Sequence, residues 1–154
     1  MPIKAFFGEY SGSAIAKNKD SLYFGVTVRD LDVKIGPSGN GFSLKWTTVT
    51  RKGGTPNKPK VKRKSTSMIF SPAEKRGLYR AASSGDPLSG KNMIWARLSK
   101  QTLTVYALGL TPSGAYELTS YERRLVAGGL RLKFTRLRDG DPVRIVTGKL
   151  TRDR

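Results

Sequence analysis

The sequence predicts an all-β protein, an antiparallel up-and-down (meander) barrel of about eight to ten strands with one short helix near residues 72–82. Two observations predict this class. Apolar residues recur at every second position along most of the chain, and the alternating stretches are separated by short breaks rich in Gly, Pro, Asn and Asp. Such breaks are too short for helical crossovers, so neighbouring strands are expected to be antiparallel hairpins. A closed barrel pairs both outer strands of so large a sheet, and a two-sheet sandwich is the alternative.

The alternation is clearest in the second half of the chain. Strands are predicted over residues 93–99, 102–110, 115–125, from 130 onward, and 143–151. Turns are predicted between them: Lys-Gln at 100–101, Thr-Pro-Ser-Gly at 111–114, Gly-Gly at 128–129 and Asp-Gly at 139–140. Each strand is therefore expected to pair with the next one in sequence.

The first half repeats the pattern less regularly. Strands are predicted over residues 6–16, 22–35, 42–51 and 61–70, with a basic loop at about 52–60. Ser71 as N-cap, Pro72 at the first helical position and Glu74 in a capping box predict the one helix, which Gly77 weakens. The 154 residues are expected to form a single domain, 1–154.

Composition limits the chemistry. The chain has 29 Lys and Arg against 11 Asp and Glu, a formal net charge of +18, which favours anionic partners. It has no Cys and no His, which excludes thiolate nucleophiles and the usual proton-transfer and metal-binding side chains. We therefore expect no enzymatic activity, no cofactor and no metal site. With no secretory leader and no apolar run long enough to span a membrane, a cytoplasmic location is expected.

Aromatic residues are spread along the predicted strands. Aromatic walls with a few polar groups suit a small apolar ligand inside a barrel, whereas ordinary core packing is the alternative explanation. The aromatic residues predicted to line such a site are Tyr10, Trp46, Trp95, Tyr106 and Tyr116.

Two arginines complete the predicted ligand site. If the alternation that begins with Leu130 and Phe134 continues, Arg136 and Arg138 fall on the inward face of the barrel. An inward guanidinium near a barrel mouth could hold a carboxylate or phosphate in a bidentate fork. A bulge near Thr135 would instead turn both arginines outward.

The basic segment 51–64 offers a second function. No Asp or Glu occurs between Asp32 and Glu74, and a ridge of cations could bind the phosphates of a nucleic acid or another polyanion. A solvated edge strand protected by Lys is the alternative. The residues concerned are Arg51, Lys52, Lys58, Lys60, Lys62, Arg63 and Lys64.

The opening strand carries a glycine followed two positions later by an aromatic residue, Gly8 and Tyr10, and a hairpin meander follows it. This arrangement resembles the calycin superfamily of lipocalin-like, fatty-acid-binding and avidin-like barrels, which usually has Trp where this chain has Tyr10. The resemblance implies a small, largely apolar ligand held inside the barrel. It also implies a late-strand arginine packed against the aromatic ring, a role that Arg136 or Arg138 could fill. Together with the cationic charge, it predicts a non-enzymatic binding protein for an apolar ligand with an anionic group.

Overall fold

A computed structural model describes the backbone of residues 2–18, 27–55 and 58–154; side chains are described for these residues except 14–18, 27–30, 50–55 and 58–62. In this part of the chain, ten antiparallel strands form a closed barrel, in which each strand pairs with its neighbours in sequence and the first pairs with the last. The up-and-down barrel prediction is confirmed, and the sandwich is excluded. The strands are β1 (Gly8–Asn18), β2 (Thr27–Ser38), β3 (Gly41–Thr55), β4 (Lys58–Pro72), β5 (Leu78–Ala81), β6 (Met93–Ser99), β7 (Thr102–Leu110), β8 (Tyr116–Val126), β9 (Gly129–Arg138) and β10 (Asp141–Arg152).

The helix predicted near residues 72–82 is wrong. β4 continues to Pro72, a turn follows, and β5 begins at Leu78. Gly77 has a φ of +83°, a left-handed conformation that stops a helix. β5 pairs with both β4 and β6, and Tyr79 belongs to the apolar interior. Without this short strand the barrel would have two unpaired edges, so closure outweighs the local helix signal.

The basic loop predicted at 52–60 is also wrong for its described residues, since 52–55 and 58–60 are strand and 56–57 lie outside the described residues. β3 extends to Thr55 and β4 starts at Lys58, and the two pair along the segment with one register shift between Lys52 and Gly54. Pairing across a long hairpin satisfies the backbone groups that a loop would leave to water. The predicted strand positions 22–26 lie outside the described residues.

One end of the barrel, called here the closed end, is filled by side chains. The β2–β3, β6–β7 and β8–β9 hairpins lie at this end. A 3₁₀ helix, Ile3–Phe6, precedes β1 and places the Phe6 side chain, 0% exposed, in the core. The other fully buried apolar residues of this end include Phe42, Leu44, Phe70, Leu103 and Leu130. Packing at the closed end therefore confines any internal space to the rest of the barrel.

A polar clasp ties the N-terminal 3₁₀ helix to the barrel. The Tyr10 hydroxyl donates to the Phe6 carbonyl at 2.7 Å, and Arg152 Nη2 donates to the Tyr10 hydroxyl at 2.6 Å. Arg152 Nη2 also donates to the Ala5 carbonyl at 2.7 Å, and its guanidinium carbon lies 5.2 Å from the centre of the Tyr10 ring. The arginine that packs against the first-strand aromatic is therefore Arg152, and neither Arg136 nor Arg138 fills that role.

Replacing Tyr10 with Phe should lower the free energy of unfolding by about 1–3 kcal/mol, because the Phe6 carbonyl and Arg152 lose their shared partner. Urea unfolding followed by circular dichroism measures the change. Tyr116→Phe, which alters an exposed tyrosine on the outer face, is the matched control and should unfold like the parent. Equal stabilities of Tyr10→Phe and the parent would show that the clasp contributes nothing.

Candidate functional site

The barrel interior beyond the closed end contains a cavity of about 440 Å³. Residues of eight strands line it in the described part of the chain, from all strands except β1 and β5. Its apolar lining includes Leu31, Trp46, Met68, Ile94, Leu132 and Phe134. A smaller cavity of about 240 Å³ shares Asn92, Ala107 and Arg136 with it and reaches Glu117, near the end opposite the closed end. The volume of the larger cavity, about 440 Å³, lies within the range typical of small-molecule sites.

Arg123 is a buried cation on this wall. It lies on β8 on the same face as Tyr121, and only 4% of its surface is exposed. Its guanidinium carbon lies 5.1 Å from the centre of the Trp46 ring and 5.8 Å from that of Tyr121. Nε and Nη1 are buried and have no hydrogen-bond partner among the described residues. Burial lowers the pKa of Arg123 to about 10, although its interaction with Tyr121 opposes the shift.

Two more arginines lie further along the cavity. Arg136 of β9 and Arg144 of β10 are directly opposite each other in the sheet. Their guanidinium carbons lie 5.6 Å and 5.9 Å, respectively, from the centre of the Phe134 ring. Nε and Nη2 of Arg144 are buried without a partner in the described part of the chain, and burial lowers its pKa. These arginines form a cationic pair on neighbouring strands.

Three aromatic rings connect the arginines. The centres of Trp46 and Tyr121 are 5.3 Å apart, and those of Tyr121 and Phe134 are 4.8 Å apart in an edge-to-face arrangement. Burial raises the pKa of Tyr121, while Arg123 and Arg136 oppose the rise, so the phenol is neutral at physiological pH. A guanidinium that contacts rings through its face keeps its in-plane N–H donors for another partner.

The cavity wall has little negative charge to match these cations. Glu122 is the one carboxylate among the described residues of the wall. Strand alternation places its side chain on the outer face, opposite Lys133. Toward the end opposite the closed end, called the far end, Glu117 faces inward and forms an ion pair with Arg138 at 3.4 Å. The arginines of the main cavity therefore have no carboxylate partner within the described lining.

The predicted site residues have different locations. Trp46 and Arg136 line the cavity. The register of β9 is continuous through Thr135 with both neighbouring strands, so there is no bulge to turn Arg136 and Arg138 outward. Arg138 lies at the far end, half exposed and paired with a carboxylate. Tyr10, 1% exposed, belongs to the closed-end core and not to the cavity wall.

Three predicted lining residues lie on the outer face of the barrel, so their assignment to an interior site is corrected. Trp95 alternates with Ile94 and Ala96, which belong to the interior. Trp95 stacks on Tyr106 of β7 with ring centres 5.1 Å apart, outside the barrel. Tyr116 is an exposed residue at the start of β8. Alternate positions of a strand point to the interior and to solvent, and this alternation decides where these side chains lie even when they are apolar.

The sequence prediction did not select Arg123, Arg144 or Tyr121 as site residues. Tyr121 and Arg123 occupy alternate positions of β8 with Thr119, and that shared face was the available signal. The register shifts between Pro142 and Arg144, so strand alternation in the sequence does not predict which face Arg144 occupies.

In the basic segment, the two described side chains point different ways. Lys64 lines the cavity at an exposed position, and Arg63 is exposed on the opposite face of β4. The side chains of Arg51, Lys52, Lys58, Lys60 and Lys62 lie outside the described residues. Polyanion binding by this segment therefore stays a sequence-based prediction.

No protein-family model and no curated protein matches the chain. Among solved structures, the S-type phycobiliprotein lyase CPES from Guillardia theta is similar, with 8% sequence identity and a TM-score of 0.44 over 99% of this chain and 90% of that one. The prediction that the chain is not an enzyme is contradicted by this finding, because the similar structure is named as a lyase.

Among the described residues, no helix has the length and apolar character needed to cross a membrane.

Proposed function

We propose that this protein binds a small ligand with an apolar body and an anionic group inside its barrel. The observation that carries the proposal is Arg123, a buried guanidinium on the wall of a 440 Å³ cavity, with two nitrogens that have no hydrogen-bond partner among the described residues. A charged group removed from water is costly unless an opposite charge or hydrogen-bond acceptors compensate it. A carboxylate or a similar oxyanion supplies both, because it carries the opposite charge and accepts hydrogen bonds from guanidinium N–H groups.

The rest of the wall suits the apolar body of such a ligand. Trp46, Met68 and Phe134 face the cavity from three different strands, and burying them against a ligand gains about 25 cal/mol per Å² of apolar surface removed from water. The anionic group gives orientation, because one end of the ligand is attracted to arginine and the other is not. This division of roles is common in small-molecule sites.

Fluorescence of Trp46 should report on this binding, because the ring lies in the cavity under Arg123. The chain has two tryptophans, so Trp95→Phe leaves Trp46 as the single reporter. We expect titration with dodecanoate to give a saturable change in its emission. The reciprocal variant, Trp46→Phe, retains Trp95 on the outer face and should show little change. No response from either variant, or equal responses from both, would contradict an interior site.

A further inference from the structure

We infer that the ligand carries two anionic groups, one at each end of an elongated apolar body. This inference rests on the proposed function and adds the ligand's charge and shape. Unpartnered guanidinium nitrogens occur at two places in the cavity, on Arg123 and on Arg144, among the residues that the structure describes. One anion at Arg123 would leave the two buried nitrogens of Arg144 without a partner among the described residues.

The two places lie at different levels of the barrel. Arg123 is opposite Leu132 in the β8–β9 pairing, whereas Arg136 is opposite Thr119 and Arg144 is opposite Arg136. Positions 123 and 119 are four residues apart on β8, which separates their Cα atoms by roughly 13 Å at the usual rise of a strand. Arg123 is thus closer to the closed end, and the arginine pair is closer to the opposite end of the barrel.

The level between the arginines is apolar. Tyr121, Phe134 and Val146 are aligned across β8, β9 and β10 and line the cavity there. Arg123 lies over Trp46 and Tyr121, and Arg136 and Arg144 lie near Phe134. The Tyr121 and Phe134 rings therefore lie between Arg123 and the arginine pair along the strands.

Charge balance favours two anions over one. Arg123, Arg136 and Arg144 place three guanidinium charges among the described residues of the lining, Lys64 of the same lining is exposed to solvent, and Tyr121 is neutral. A monoanion would leave two of these charges without compensation, whereas a dianion would leave one, at the level where the smaller cavity joins. The site therefore fits an α,ω-dianionic amphiphile such as a long-chain dicarboxylate.

Three probes of equal chain length separate these cases: dodecanedioate, dodecanoate and dodecane-1,12-diol, with two, one and no carboxylate. Dissociation constants are measured by Trp46 fluorescence in the Trp95→Phe background and by calorimetry. We expect dodecanedioate to bind at least about tenfold more tightly than dodecanoate, and the diol to bind most weakly. Equal affinities for dodecanedioate and dodecanoate would overturn the two-anion inference and leave the proposed function intact. Failure of all three probes to bind would remove both.

Variants of the arginine pair locate the second anion. Arg144→Met should reduce the dodecanedioate preference to near unity while dodecanoate still binds, and Arg136→Met provides an independent variant of the same pair. Lys149→Met, an exposed cation further along β10, is the matched control and should keep the full preference. An unchanged preference in both arginine variants would overturn the assignment of the second anion to this pair.

Discussion

Replacement of Arg123 by Met should stabilise the ligand-free barrel and remove its affinity for dodecanoate. Arg123 has two unpartnered nitrogens in the part of the chain described and is 4% exposed, so the folded state bears the cost of a desolvated charge. Methionine keeps much of the side-chain volume without the charge, and replacing buried charges by apolar residues often stabilises proteins by about 1–4 kcal/mol. At about 2–4 °C per kcal/mol for a chain of this size, the melting temperature should rise by several degrees.

The gain in stability should depend on pH with a definite sign. The pKa of Arg123 is lowered by burial to about 10 in the folded chain and has its ordinary, higher value in the unfolded chain. Between these values the unfolded chain binds more protons, so the contribution of Arg123 to parent stability improves as pH rises. The advantage of Arg123→Met is therefore largest below pH 10 and should shrink above it.

Calorimetric melting and dodecanoate titration test both effects on protein refolded from denaturant, which removes ligands carried through purification. Arg124→Met is the matched control, because Arg124 is the next residue on β8 and points to solvent. It should change neither stability nor affinity by more than about 0.5 kcal/mol. A destabilised Arg123→Met that binds dodecanoate like the parent would show that Arg123 has a structural role and no part in binding.

The barrel could be predicted from the sequence because period-two alternation and short turns are local signals that agree with the global fold. The helix prediction failed because the local sequence signal there conflicts with the requirements of the whole sheet. Ser71, Pro72 and Glu74 form a good helix start, but β5 is needed to join β4 to β6, and that requirement is visible only when the whole sheet is assembled.

The site was less predictable because it depends on which face of each strand points inward. Trp46 and Arg136 lie on the cavity wall, but in β6 and β7 both faces carry large apolar residues, so the pattern does not reveal that Trp95 and Tyr106 face outward. Arg123 shows the converse problem. A cation in an alternating strand is normally assigned to solvent, and only the assembled barrel shows that it is buried.

Phe6→Ala should strongly destabilise the closed end. The side chain is 0% exposed within the core of that end, and it belongs to the 3₁₀ helix that Tyr10 and Arg152 tie to the barrel. Truncating a buried phenylalanine to alanine costs about 3–5 kcal/mol, the lost transfer free energy plus the cavity left behind. Phe6→Leu should cost clearly less, since leucine fills most of that space, and urea unfolding of both variants measures the difference.

Leu88→Ala is the control, because Leu88 is 87% exposed and its truncation should leave stability nearly unchanged. Phe6 does not line the cavity, so Phe6→Leu should retain the parent's preference for dodecanedioate over dodecanoate even though it unfolds at lower urea. This combination would separate the two parts of the barrel, with packing at the closed end supporting the fold and the arginines beyond it proposed to select the ligand. A lost preference in folded Phe6→Leu would mean instead that the closed end and the cavity act as one unit.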